Sequence, residues 1–280
     1  MISEYQLIDC GDFEKLERIG TSIIRRPSPQ AVWGRDRSIN EWETPCTRYL
    51  RRPDGNGDWV PSSGKAIPDY WDVEHFGVRL RLRCTGFGHV GGFFEQGPNW
   101  DQFRELISKR SNEEYRVLNL FAYTGGATVA CAQAGASVVH LDASKTSVTW
   151  AKENADLNQL ENASIRYITD DVKTFVDREI RRNNKYEAII LDPPSFGRGT
   201  KKQVWKIEED MVPLLDKLTE LMSDKFHFLS LSSHSQGYTP IALENLTRIF
   251  GDGTVESKEM TVPFKSCELS SGATTLWIKK

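Results

Sequence analysis

The chain has 280 residues, 39% of them hydrophobic and 27% charged, with a formal net charge of −3. That length holds one large domain, or one of ordinary size plus a smaller one, and a near-neutral sum excludes a polycation that grips nucleic acid by bulk charge. No run of 18 apolar residues occurs and the first twenty residues are studded with acids, so neither a membrane span nor a signal peptide is expected and the protein is placed in the cytoplasm.

The five cysteines, Cys10, Cys46, Cys84, Cys131 and Cys267, lie far apart with no C-x-x-C pair. This predicts free thiols in a reducing compartment and no metal site. Charge is unevenly drawn: residues 1–111 hold 13 Arg and 3 Lys, residues 112–280 hold 7 Arg and 13 Lys. Arginine suits bidentate phosphate contacts and stacking on bases.

In chain order, the first 90 residues are rich in Gly, Pro and Trp and read as a small β-rich region, its packing partly built on Trp33, Trp42, Trp59 and Trp71. "RRPDGNGDW" (Arg51–Trp59) reads as a hairpin tip. In "FGVRLRLRCTG" (Phe76–Gly86), Val78, Leu80 and Leu82 alternate with Arg79, Arg81 and Arg83, the period of a half-buried strand with a basic outer face. From Tyr115 the rhythm is strand, turn, helix, repeated: strand 116–121, helix 126–135, strand 137–142, helix 144–160 with Ser144 as N-cap, strand 164–169, helix 172–183 and strand 186–191. A Gly/Lys loop follows, then helix 203–223, strand 226–232, helix 240–250, and a final strand pair from "ESKEMTVPF" and "ATTLWIKK". Alternating βα units predict a mostly parallel sheet with helices on both faces.

In such a sheet ligands bind beyond the carboxyl ends of the strands. The first strand ends in "FAYTGG", where Gly125 and Gly126 permit close backbone approach and open a helix with a partly positive N-terminus. The pattern is not G-x-G-x-x-G, which speaks against a dinucleotide loop. The second strand ends in Asp142, able to accept both hydroxyls of a ribose; the third ends in Asp170-Asp171, placed to meet an adenine edge. Helix capping explains each acid equally well taken singly. The fourth strand ends in Asp192-Pro193-Pro194. An Asp carboxylate and the Pro193 carbonyl can both accept from a planar amino group, and proline adds no competing N–H. That is a clamp that works by positioning.

"LNLFAYTGG", "HLDASK" and "LDPPSFGRG" resemble three motifs of class I S-adenosylmethionine-dependent methyltransferases, in particular the bacterial large-subunit ribosomal RNA enzymes that modify cytosine C5 or guanine. The resemblance spans roughly Gly91 to Ser235. "GGFFEQGPNWDQFRE" is similar to a segment such enzymes place against the cofactor, where they more usually carry a different, arginine-containing version. The expected fold class is therefore α/β: a Rossmann-like, doubly wound, mostly parallel seven-stranded sheet with a small β-rich N-terminal region. Residues 1–90 would form an accessory or substrate region and 91–280 the domain that binds S-adenosyl-L-methionine. The resemblance implies cofactor contacts from Phe94, Gln96, Phe121, Ala122, Tyr123, Thr124, Gly125, Gly126, Asp142, Ala143, Ser144, Asp170 or Asp171, and Asp192.

Asp192, Pro193 and Pro194 would hold the acceptor, with His234 orienting it or taking its proton. Ser195, Phe196, Arg198 and Lys201 would touch the substrate, Phe196 by stacking and the basic pair at phosphates. Cytosine C5 becomes nucleophilic only after a thiolate adds at C6. No cysteine follows the Asp-Pro turn, and His234 stands where the next strand would carry one, so a nitrogen target is favoured. The N-terminal Arg25, Arg26, Arg35, Arg37, Arg51 and Arg52, with Trp33 and Trp42, would help hold RNA. The expected activity is methylation of a base in RNA, ribosomal RNA foremost. Three rivals stand beside it: a small-molecule or protein N-methyltransferase, a nicotinamide-dependent oxidoreductase, and a non-catalytic RNA-binding module that keeps the cofactor pocket.

Overall fold

The computed structural model describes residues 4–43, 47–52, 56–61, 68–110, 114–199 and 203–280. The chain divides into two compact units, Met1–Pro98 with Thr261–Ser271, and Asn99–Met260 with Gly272–Lys280.

In the first unit, β1 (Tyr5–Gly11), β2 (Glu14–Ile19), β3 (Ser22–Pro27), β4 (Thr47–Arg51) and β5 (Gly57–Pro61) form one sheet in sequence order. Its pairs are antiparallel except β3–β4, which is parallel. A separate ribbon pairs β6 (Trp71–His75) with β7 (Val78–Leu82). The alternation read in β7 holds, with Val78, Leu80 and Leu82 buried. Its outer face is charge-balanced: Arg81 makes a two-pronged bond to Asp72 across the ribbon at 2.8 and 2.9 Å, and Arg79 reaches Glu74. An apolar cluster joins Leu7, Cys10 and Ala31 to Val262, Phe264 and Leu269.

A buried ionic knot sits beside it. Arg26 donates to both oxygens of Glu17 at 2.7 and 2.8 Å, Tyr5 adds a third bond, and Lys15 stands 3.0 Å away. Burial alone would raise the Glu17 pKa, but Arg26 and Lys15 outweigh it and bring it down to about 2.

The second unit carries the alternating pattern. α1 (Gly97–Ser108), whose first two residues belong to the first unit, leads into β8 (Arg116–Leu120), α2 (Gly126–Gln133), β9 (Ser137–Asp142), α3 (Lys145–Leu157), β10 (Ile165–Thr169), α4 (Val172–Arg181) and β11 (Ala188–Leu191). Then come the short strands β12 (Phe196–Arg198) and β13 (Val204–Lys206), α5 (Ile207–Thr219), β14 (Phe228–Ser233), α6 (Pro240–Thr247), β15 (Gly253–Phe264) and β16 (Cys267–Lys279). The sheet runs β10-β9-β8-β11-β14-β16-β15; the first five strands are mutually parallel and β16 is antiparallel to β14. This is the expected Rossmann-like seven-stranded architecture. β11 is buried along its whole length because helices cover both faces, so it reads as an unbroken apolar run rather than an alternation.

Two local differences from the sequence reading matter. Phe196–Arg198 and Val204–Lys206, read as part of a Gly/Lys loop and the start of a helix, pair as the antiparallel strands β12 and β13, with Gly197 opposite Trp205, and α5 starts at Ile207 rather than Gln203. α1 was not announced by any apolar repeat; its Pro98 occupies the first turn, where a missing N–H costs nothing.

Candidate active site

Strand order reverses between β8 and β11. Leu191 lies opposite Leu120, so Phe121 and Asp192 leave the sheet side by side at its carboxyl edge.

Beyond β8 the backbone is contorted. Phe121 has φ +54°, Tyr123 φ +48° and Gly125 φ +86°. A left-handed conformation is costly for aromatic residues and persists where surrounding bonds over-determine it. Those bonds are present. Asp142, ending β9, accepts from the Tyr123 N–H at 2.9 Å through one oxygen and from the Ser144 N–H at 2.8 Å through the other. The Ala122 N–H donates to the Leu141 carbonyl, and the buried Asn154 amide donates to the Thr124 carbonyl at 2.8 Å. Burial pushes the Asp142 carboxyl up, with the Ser144 and Tyr123 donors pulling the other way. Gly125 is the N-cap of α2 and has no side chain to cap it, leaving first-turn N–H groups of α2 for a ligand. A methyl group on Gly126 would stand 2.5 Å from the Trp100 ring, so this glycine serves helix packing.

On the other side of the reversal, Pro193 is buried while Pro194, Ser195 and Phe196 are exposed. The Trp205 indole N–H donates to the Pro194 carbonyl at 2.7 Å, and its ring packs against Phe121 with centroids 4.8 Å apart. Trp205 thereby joins the contorted loop to the proline corner. Phe196 is 52% exposed, with the Arg198 guanidinium over its ring at 5.7 Å. His234, just past β14, has Nε2 3.3 Å from the Asp192 carboxylate.

The remaining expected residues fall as follows. Asp171 caps α4, accepting from the Thr174 N–H and hydroxyl at 3.0 Å each, and Asp170 pairs with Arg178 at 2.8 Å. Ala143 and Ser144 form the turn into α3, with Ser144 its N-cap. Phe94 and Gln96 are buried in the first unit, where the Phe94 ring stacks on Tyr5 at 4.1 Å. Lys201 lies outside the described residues. Of the N-terminal arginines, Arg25 is bonded to Glu14, Arg26 to Glu17, Arg35 to Glu43 and Arg52 to Asp58, and Trp42 is enclosed beneath Arg25 and Arg35. Of the described cysteines, Cys131 alone belongs to the second unit; it is buried in α2, and burial pushes its thiol up.

Residues 24–248 match the family model described as S-adenosylmethionine-dependent methyltransferase. The chain belongs to this family. It is similar over its whole length to the SAM-dependent methyltransferase from Agrobacterium tumefaciens, with 34% identity, a TM-score of 0.93 and 92% of that chain covered. The fold is shared with SMU.776, solved in complex with SAH, at 18% identity and TM-score 0.73 over 99% of this chain and 75% of that one. A ribosomal RNA large subunit methyltransferase K/L from Shewanella frigidimarina is 35% identical over 153 residues, 54% of this chain; the chain spans 20% of that relative's length.

The site of this methyltransferase has features that suit its cofactor: a half-buried helix N-terminus without a side-chain cap for a carboxylate, a carboxylate at the end of β9 for a diol, and a backbone bent beside them. Asn154 and Trp205 were not legible as parts of it. For Asn154 a signal exists: it is a polar residue within the buried stripe Ser147, Val148, Ala151, Asn154, Ala155 of α3. Among the described residues, no helix is long and apolar enough to cross a membrane.

Proposed function

We propose that this methyltransferase modifies a base of RNA, ribosomal RNA foremost, in the cytoplasm, and at nitrogen rather than at cytosine C5. The observation that carries the reading is the corner Asp192-Pro193-Pro194, set level with the contorted loop by strand register and faced by His234 at 3.3 Å. Ribosomal RNA is supported by the name of the Shewanella relative.

S-adenosylmethionine supplies an electrophilic methyl group on a sulfonium. Phe121–Gly126 would hold its amino-acid part, Asp142 its ribose, and Asp170 or Asp171 its adenine edge. Asp192 and the Pro193 carbonyl accept hydrogens from the target amine and hold its lone pair in line; the Pro194 carbonyl is already engaged by Trp205. His234 takes or orients the departing proton beside Asp192. Phe196 and Arg198 offer a stacking ring and a cation to the substrate. A nitrogen target is supported by the cysteines. The thiol that the second unit holds is buried within a helix, and attack at C6 needs an accessible thiolate. Residues 1–90 would then be an accessory region and 91–280 the catalytic domain.

One observation favours a second reading, a small-molecule or protein N-methyltransferase: four of the six N-terminal arginines, Arg25, Arg26, Arg35 and Arg52, are paired with acids, which reduces the charge they offer a phosphate backbone. Mass spectrometry of nucleosides from cells with and without the gene separates the two. Loss of one N-methylated nucleoside, restored by the wild type and not by Asp192→Ala, is the expected result. A full, unchanged set of RNA nucleosides would transfer the proposal to the second reading, and loss of 5-methylcytosine would overturn the nitrogen assignment.

A further inference from the structure

Beneath the contorted loop lies a row of buried polar side chains that methyl transfer itself does not use: Asn119 on β8, Thr128 on α2 and His140 on β9. The Asn119 amide donates to the Thr128 hydroxyl at 2.8 Å, and that oxygen lies 2.9 Å from His140 Nδ1. A hydroxyl that accepts from an amide has its own proton to give, and Nδ1 is the acceptor within reach. Given to Nδ1, that proton places the neutral ring's own proton on Nε2, the tautomer that the proposal below requires. Burial keeps the ring uncharged, with its pKa lowered to about 3 and the Tyr123 backbone opposing that shift.

Nε2 is itself buried and makes no well-formed hydrogen bond, although the Tyr123 backbone lies near enough to act on the ring. A donor in that condition is unusual in a native core and calls for a reason. The reason is in its placement. A Cβ added at Gly125 would come within 3.6 Å of His140 Cε1, so the ring lies directly under the left-handed turn. Asp142 is two residues further along β9, on the same side of the strand, and already holds the Tyr123 N–H. Tyr123 is thus held through its N–H by Asp142, and its backbone also neighbours the His140 ring.

We propose that His140 is a positioning residue for the cofactor: its Nε2–H closes on the Tyr123 carbonyl when S-adenosylmethionine occupies the loop, so that cofactor binding and the Asn119–Thr128–His140 row stabilise one another. The row carries no charge and moves no proton. It sets the depth and tilt of the loop on which the cofactor lies, and a hydrophobic ring of equal size would leave that tilt unset. This rests on Phe121–Gly126 being the seat of the cofactor, and the experiment tests that first.

Calorimetry of the full chain with S-adenosylhomocysteine is measured for the wild type, Asp142→Ala, His140→Phe and His140→Gln. Binding by the wild type that Asp142→Ala leaves intact would remove the seat rather than His140. With the seat established, His140→Phe is expected to weaken binding about 10-fold and raise the cofactor KM equally, kcat staying within about twofold, with His140→Gln recovering most of the loss through its side-chain N–H. Because a phenyl ring in this position can also unsettle the fold, the wild type is followed separately by ¹⁵N-histidine NMR. His140 should be the Nε2–H tautomer at pH 7, with that proton resonance moving downfield as S-adenosylhomocysteine saturates. An Nδ1–H tautomer, a resonance that saturation leaves in place, or a His140→Phe protein that binds like wild type would each overturn the proposal.

Discussion

Gly272 has φ +123°, and a Cβ there would stand 2.7 Å from the Ser233 carbonyl and 3.0 Å from His234 Nδ1. Gly272→Ala must therefore displace His234 from Asp192. If His234 has the role proposed for it, turnover should fall by up to about 100-fold, the effect of misplacing a catalytic group by about 1 Å. Affinity for S-adenosylhomocysteine should be unchanged, a split that steady-state kinetics and calorimetry resolve together. Trp205→Phe keeps most of the ring against Phe121 and removes the N–H that holds the Pro194 carbonyl. Losing one such bond costs about 1 kcal/mol, so single-turnover transfer should slow about fivefold with the cofactor KM held. Asp142 and Asp192 stood out in the sequence because consecutive apolar strands each end in an acid, a coincidence that capping explains singly but less well together. Trp205 was not: an isolated tryptophan reads as core, and its partner is a backbone carbonyl, which carries no residue identity.

At the scale of elements, the parallel strands and their helices were readable because each is long enough to show its period. The β12–β13 hairpin was not, since three-residue strands are too short for an alternation to register and the intervening glycines read as loop. Its consequence is an outer face bearing Phe196, Arg198, Val204 and Lys206 while Trp205 points inward. Asp171 illustrates two roles competing for one side chain. Its carboxylate is committed to the α4 N-terminus through Thr174. Asp171→Ala should cost about 1 kcal/mol of stability, read as a lowered urea midpoint with unchanged m-value. If adenine is met at this strand end by the neighbouring Asp170 instead, cofactor affinity will survive that change.

For the whole molecule, acid should act in two stages, one in each unit. His140 and His227 are buried in the second unit, with pKa values lowered from 6.5 to about 3 and about 4, chiefly by burial and for His227 also by Arg110 and Lys109. The unfolded chain binds more protons than the folded one below pH 6.5, so the stability these neutral rings provide is complete above that pH and declines as pH falls toward 4. Glu17 in the first unit works lower. Its pKa is depressed from 4.5 to about 2, so its pairing with Arg26 contributes fully above pH 4.5 and is lost between 4.5 and 2. At about 1.4 kcal/mol per pH unit that window amounts to about 3 kcal/mol. Urea midpoints followed from pH 7 to pH 2 should decline through both windows, and Glu17→Gln should flatten the lower one alone.

The first unit also draws on two distant stretches of chain, since Leu7, Cys10 and Ala31 share their cluster with Val262, Phe264 and Leu269. During synthesis the ribosome delivers the early strands well over two hundred residues before the segment that covers them. Leu7, Cys10 and Ala31 must therefore stay uncovered on this side while Asn99–Met260 of the second unit is being made. Long-range closure of this kind slows folding and favours misassociation in the interval. The five-stranded sheet of the first unit is thus late to mature, and an emerging chain of this protein is a natural client for chaperones that shield exposed β-surface.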